Sequence, residues 1–236
     1  MKYINFAIMK KIFLLALSLV MSTICYAQYV TVDELNNAIE RQMKSESTDF
    51  DSFAKTIMEE IPLDNNGGFT YVNIVEASNK TKEQLYIILN AWFLQAFNGK
   101  GMIINDKDLG CIMAKESIRK IASNGTFTSS NKNYEVDIEP TIRTDIKDGK
   151  VRITFNVPNY EVRDVTSSKW GKQAFAKDKS GSRAFLESYP YNPNGKEKKM
   201  MSRALVFTHS YSIRIIADIE KAIINGVAGN EADDDW

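Results

Sequence analysis

The sequence predicts an α+β protein built on a curved antiparallel sheet with helices on one face, in the order strand, helix, hairpin, hairpin, helix. Three observations predict it. The stretch FTYVNIVE at 69–76 reads as a strand after the break at Pro62 and Asn65-Asn66-Gly67-Gly68. TKEQLYIILNAWFLQAF at 81–97 opens with a cap and continues almost wholly apolar over the length of a helix. Beyond it, residues 134–139 and 151–157 alternate apolar and polar with period two, as half-buried strands do.

Taken from the N-terminus, residues 1–27 read as a secretory signal peptide. Lys10 and Lys11 precede an apolar run from Ile12 to Met21, and the small residues Cys25 and Ala27 occupy the two positions that cleavage requires. The run is shorter than the roughly 20 residues a bilayer span needs. Cleavage removes three lysines and no acid, which leaves 27 basic against 30 acidic residues and Cys111 as the only thiol. An internal disulfide is then excluded. The expectation is an exported mature chain, periplasmic or associated with the cell surface, and not membrane-spanning.

Residues 28–61 form an N-terminal helical segment, with Leu35, Ile39 and Met43, then Phe53, Ile57 and Ile61, at helical spacing. The main domain, 62–226, begins after Pro62. In the strand at 69–76 apolar residues occur at both parities, which predicts a central strand or one covered on both faces. Thr81 and Gln84 have capping-box spacing at the start of the long helix, and Asn98-Gly99 ends it. Its apolar residues surround the axis, so one sheet contact cannot cover them. The final helix and the N-terminal helices are expected to cover the rest, with a homodimer interface as the competing cover.

Met102 to Asn105 and Cys111 to Ser117 predict a first hairpin. A second is read from Tyr134, Val136 and Ile138 facing Val151, Ile153, Phe155 and Val157, with Asp148-Gly149 as the turn and one wet face. Pro140 and Pro158 mark an edge, a bulge or strand ends. Residues 164–200 read as a long loop in which the aromatics Trp170, Phe185, Tyr189 and Tyr191 are candidate ligand or partner contacts. The competing reading of these aromatics is a plug on the core's edge. Residues 202–225 have a helical stripe, although 205–215 also alternate as a strand would. The acidic tail, 227–236, reads as disordered.

The strand FTYVNIVEA, the helix KEQLYIILNAWF and the strands NYEVDIEPTI and GKVRITFNV together resemble a family of exported bacterial domains of unknown function with a TATA-binding-protein-like fold, over about residues 69–162. The resemblance implies the curved sheet and its helical layer. It brings no activity or catalytic residues, and fold alone does not carry function.

The slightly acidic mature chain lacks the basic cluster that displaces phosphate counterions, so nucleic acid is not an expected partner. His209, the only histidine, lies on an apolar stripe and reads as a core residue rather than a base for Ser210 or Ser212. Asp106 and Asp108 start like a calcium loop, but Gly110 and Cys111 break the ligand pattern, and no metal or cofactor is expected. The function read from these observations is a soluble binding or interaction domain, for a protein or small-molecule ligand of the cell envelope. The alternative is a hydrolase using Glu135, Asp137 and Glu139, which share one face of a strand.

Overall fold

The computed structural model describes residues 31–45, 47–61, 63–65, 67–97, 101–123, 134–164, 189–195 and 197–226. The expected signal peptide, acidic tail and most of the long loop lie outside them. The elements are α1 (Val32–Ser45), α2 (Phe50–Glu60), β1 (Phe69–Glu76), α3 (Lys82–Phe97), β2 (Met102–Asp106), β3 (Cys111–Lys115), β4 (Ile118–Ser123), β5 (Tyr134–Ile138), β6 (Thr141–Lys147), β7 (Lys150–Val157), β8 (Tyr160–Asp164) and α4 (Lys198–Asn225).

Local chemistry explains several of the boundaries. The capping box of α3 forms as the spacing predicts: Thr81 N–H donates to Gln84 Oε1 at 2.9 Å, and Gln84 N–H donates to Thr81 Oγ1 at 3.3 Å. Asp49 caps α2 by accepting from the N–H groups of Asp51 and Ser52. In the β2–β3 turn, Asp106 Oδ1 accepts the N–H of Leu109 at 2.8 Å, which is the work of a turn aspartate. Residues 198–225 form one helix, so the strand alternative for 205–215 is set aside, and the helix begins at Lys198 rather than Ser202.

All strand pairs are antiparallel and form a five-stranded sheet, β1-β7-β6-β3-β2, and a three-stranded sheet, β4-β5-β8. Three stretches of chain run through both. β3 leads into β4 across Glu116-Ser117, β5 into β6 across Glu139-Pro140, and β7 into β8 across Pro158-Asn159. Each proline falls where the ladder must be interrupted, because it has no N–H to donate, and the two sheets are the two limbs of one sharply bent ribbon. Across the bend Glu116 N–H donates to Pro140 O at 3.1 Å. Within β4 the register shifts at a bulge where Lys120 takes a left-handed φ of 56°, and its freed N–H finds Asp137 Oδ1 at 2.8 Å.

Three sequence expectations are corrected here. The second hairpin is β6–β7, Thr144 facing Ile153 around Asp148-Gly149, while Tyr134–Ile138 belongs to the other sheet between β4 and β8. Alternation alone does not choose a partner, and β6 between them has the same period. Strand β3 stops at Lys115, and β4 is a separate strand. Strand β1 is an edge strand: Phe69, Tyr71 and Val75 are buried whereas Ile74 on the other face is half exposed, so its mixed parity reports an apolar side chain left outside.

The helices pack on one face of the ribbon. The core joins Phe69, Tyr71, Ile142, Ile153 and Phe155 of the sheet to Leu85, Leu89 and Phe93 of α3 and to Leu205, Ile216 and Ile219 of α4. The N-terminal pair does not cover α3 as expected. It lies on α4, where Phe50 meets Phe207 edge-to-face at 5.4 Å and Arg203 stacks over both rings while pairing with Glu40.

Candidate functional site

Of the four candidate aromatics, Trp170 and Phe185 lie outside the described residues. Tyr189 and Tyr191 stand where the chain returns to the body, and both are tied to it. The Tyr189 hydroxyl accepts from Phe69 N–H at 3.2 Å and donates to Val157 O at 2.5 Å, joining the ends of β1 and β7. Its ring meets Tyr160 at 4.8 Å and Phe69 at 5.5 Å. Tyr191 is buried, and its hydroxyl donates to Asp51 of α2. Lys198 and Tyr191 together hold the Asp51 carboxyl well below the usual carboxylate range.

The carboxylates considered for acid–base work are held by cations on the wet face. Arg163 of β8 donates to Asp137 through Nε and to Glu135 Oε2 through an Nη at 2.9 Å. Lys115 pairs with Glu139 at 2.6 Å. Further along the ribbon, Arg143 and Arg152 grip the two oxygens of Asp145 at 2.7 and 2.8 Å. Partial burial pushes that carboxyl up, and the two guanidiniums outweigh it and hold it low. Cys111 faces Asp145 across the ladder, and burial raises its thiol, the opposite of an activated nucleophile.

His209 is buried, with Nδ1 at 2.8 Å from the Tyr71 hydroxyl. Desolvation lowers its pKa to about 4. Ser210 and Ser212 donate to the carbonyls of Val206 and Thr208 one turn back, at 2.8 and 2.7 Å, rather than to the imidazole.

Among the described residues one flank of α3 stays open, where the sequence predicts cover by the other helices or a second copy. Around α3, Leu85, Leu89, Phe93 and Phe97 are buried, while Ile87 is 60% and Leu94 45% exposed. The Tyr86 hydroxyl donates to Asn105 of β2, and Asn105 donates to Asn90 at 2.9 Å, which fixes this flank of α3 over the edge strand β2. Ile103 in β2 is 55% exposed. The uncharged stretch from Gln84 to Phe97 was the signal in the sequence, but it did not say which side of the helix stays open. A polar groove of about 470 Å³ lies elsewhere, between the β1–α3 connection and the β6–β7 turn, lined by Glu76, Asn79, Lys80 and Lys150 among others. Its acids and bases alternate and single out no ligand charge. Among the described residues no helix is long and apolar enough to cross a membrane.

No curated protein matches the chain. Among solved structures, a TBP-like protein from Parabacteroides distasonis is 16% identical, with 70% of this chain and 97% of that one covered at a TM-score of 0.44. A DUF4468 family protein from Bacteroides ovatus is 12% identical, with 69% and 90% covered at 0.42. Residues 71–161, from β1 into β8, match the model of the family described as a domain of unknown function (DUF4468) with TBP-like fold, and this TBP-like α+β domain is the centre of the chain.

Proposed function

We propose that the chain is an exported binding or interaction domain of the cell envelope, acting through a contact surface rather than a reacting centre. The observation that carries this reading is the half-exposed apolar flank of α3, Ile87 and Leu94, on a helix that Tyr86 and Asn90 tie to Asn105 of the edge strand β2, where Ile103 is also exposed. A helix flank and a strand edge that share exposed apolar side chains form a contact surface. Elsewhere the polar groups suited to catalysis are engaged with one another: Glu135 and Asp137 with Arg163, Asp145 with two arginines, and His209 with Tyr71. Export is supported by the leader-like residues 1–27.

The test places a photo-crosslinking amino acid at Ile87 in the producing organism, with Glu161 of β8 as a second position, and fractionates the cells first. The expected result is chain in the envelope fraction and a discrete adduct at Ile87 but none at Glu161. Cytoplasmic chain, or no adduct at Ile87, would contradict the reading.

A further inference from the structure

Strand β2 ends the five-stranded sheet and pairs only with β3 among the described strands, so its outer N–H and C=O groups face away from the ladder. Above it, Leu94 and Ile87 lie about 40° and 60° round α3 from Asn90 at 100° per residue, pointing away from the buried row of Leu85, Leu89 and Phe93, with exposed Glu83 at the N-terminal end of the same stripe. One margin of the molecule therefore presents two layers together, an open strand edge and an apolar helix flank. From Gln84 to Phe97 and from Met102 to Asn105 these layers carry no charged residue, in a chain that is 25% charged.

We propose that this margin docks against the same margin of a second copy, β2 beside β2 in antiparallel pairing about a two-fold axis and α3 beside α3. The proposal rests on the interaction reading above and names its partner. A two-fold contact sets the residues near its axis against their own counterparts, where a charge would meet its like, and the middle of this margin, 84–97 of α3 and 102–105 of β2, is free of charge, with Lys82, Glu83 and Asp106 at its ends. A second copy also covers both layers at once. An extended peptide could complete the β2 edge but would leave Ile87 and Leu94 in water. The size is adequate for association: a 16-residue helix runs about 24 Å and two layers stand about 20 Å high, which gives about 500 Å² per copy and about 1,000 Å² in total, the lower bound of a specific interface. Association is accordingly weak and concentration-dependent.

Sedimentation velocity of the mature chain from about 1 to 200 μM tests this, beside Ile87→Glu, Leu94→Glu and Ile74→Glu. All three side chains are about half exposed, so each variant keeps its fold, which circular dichroism confirms. The expected result is a rise from monomer to dimer across the range, weakened about tenfold or more by Ile87→Glu or Leu94→Glu and unchanged by Ile74→Glu on the opposite edge strand. A monomer at every concentration, or a dimer that only Ile74→Glu disrupts, would overturn the proposal. The crosslink at Ile87 separates this claim from the broader one. An adduct of twice the chain's mass supports the second copy; an adduct of another mass overturns the second copy and leaves the interaction reading standing; no adduct overturns both.

Discussion

His209 shows how a single buried group sets behaviour that no surface feature reveals. Its ring is enclosed by β1 and α4, with the Tyr71 hydroxyl at 2.8 Å and its ring facing the imidazole at 5.8 Å. Burial also pushes the Tyr71 phenol up, so the neighbour brings no charge near neutral pH. The imidazole's folded pKa, about 4, lies below its unfolded 6.5, so the unfolded chain binds the extra proton between those values. Stability from this residue is therefore complete above about pH 6.5 and is lost as pH falls toward 4, by about 2–3 kcal/mol at pH 4.5. Urea titrations at pH 7.5 and 4.5 check it: wild type should lose that increment relative to His209→Gln, and parallel losses would assign the acid sensitivity to carboxylates such as Asp145. Tyr189→Phe removes the hydroxyl that joins Phe69 N–H to Val157 O and should cost about 1–2 kcal/mol in the same assay.

At the scale of elements, backbone positions with a positive φ separate positions that tolerate a side chain from positions that do not. Gly101 leads into β2 with φ 77°, and a Cβ there would stand 2.3 Å from the Lys115 carbonyl oxygen. Gly226, with φ 81° after α4, would meet nothing within 4 Å. Gly101→Ala should therefore cost about 2 kcal/mol or more and disturb the β2–β3 ladder, whereas Gly226→Ala should cost about 1 kcal/mol, measured by chemical denaturation.

The elements most legible in the sequence were those written in local chemistry. The Thr81–Gln84 box, the Asp148-Gly149 turn and the prolines that end β5 and β7 all act within a few residues of themselves. Strand partners were not legible, because Val136 and Ile142 have the same alternation and only the bend at Glu139-Pro140 sends them into different sheets. The open flank of α3 was hidden for a related reason: Ile87 and Leu94 are as apolar as Leu85 and Phe93, and tertiary packing alone decides which pair is covered. Strand β1 misled in the same way, since Ile74 is an apolar residue on a face the helices do not reach.

Across the whole molecule, α4 is the element that the two N-terminal helices, α3 and both limbs of the ribbon all touch. Its buried Phe207 should therefore couple the N-terminal pair to the domain. Phe207→Ala should cost about 3–5 kcal/mol by opening a cavity under Phe50, whereas Glu40→Gln, which removes only the partly exposed partner of Arg203, should cost 1 kcal/mol or less. Thermal unfolding of the two variants side by side distinguishes a packed junction from one held by charge. With the helices gathered on one face of the bent ribbon and ion pairs on the opposite face, the margin formed by α3 and β2 is the apolar surface that we propose acts outward. Hydrogen exchange of residues 28–236 at about 2 and 200 μM tests that claim most directly. Added protection is expected at the higher concentration in peptides spanning residues 84–105 and none in β5 or β8; equal exchange at both concentrations, or protection gained on the ion-paired face alone, would contradict the proposed margin.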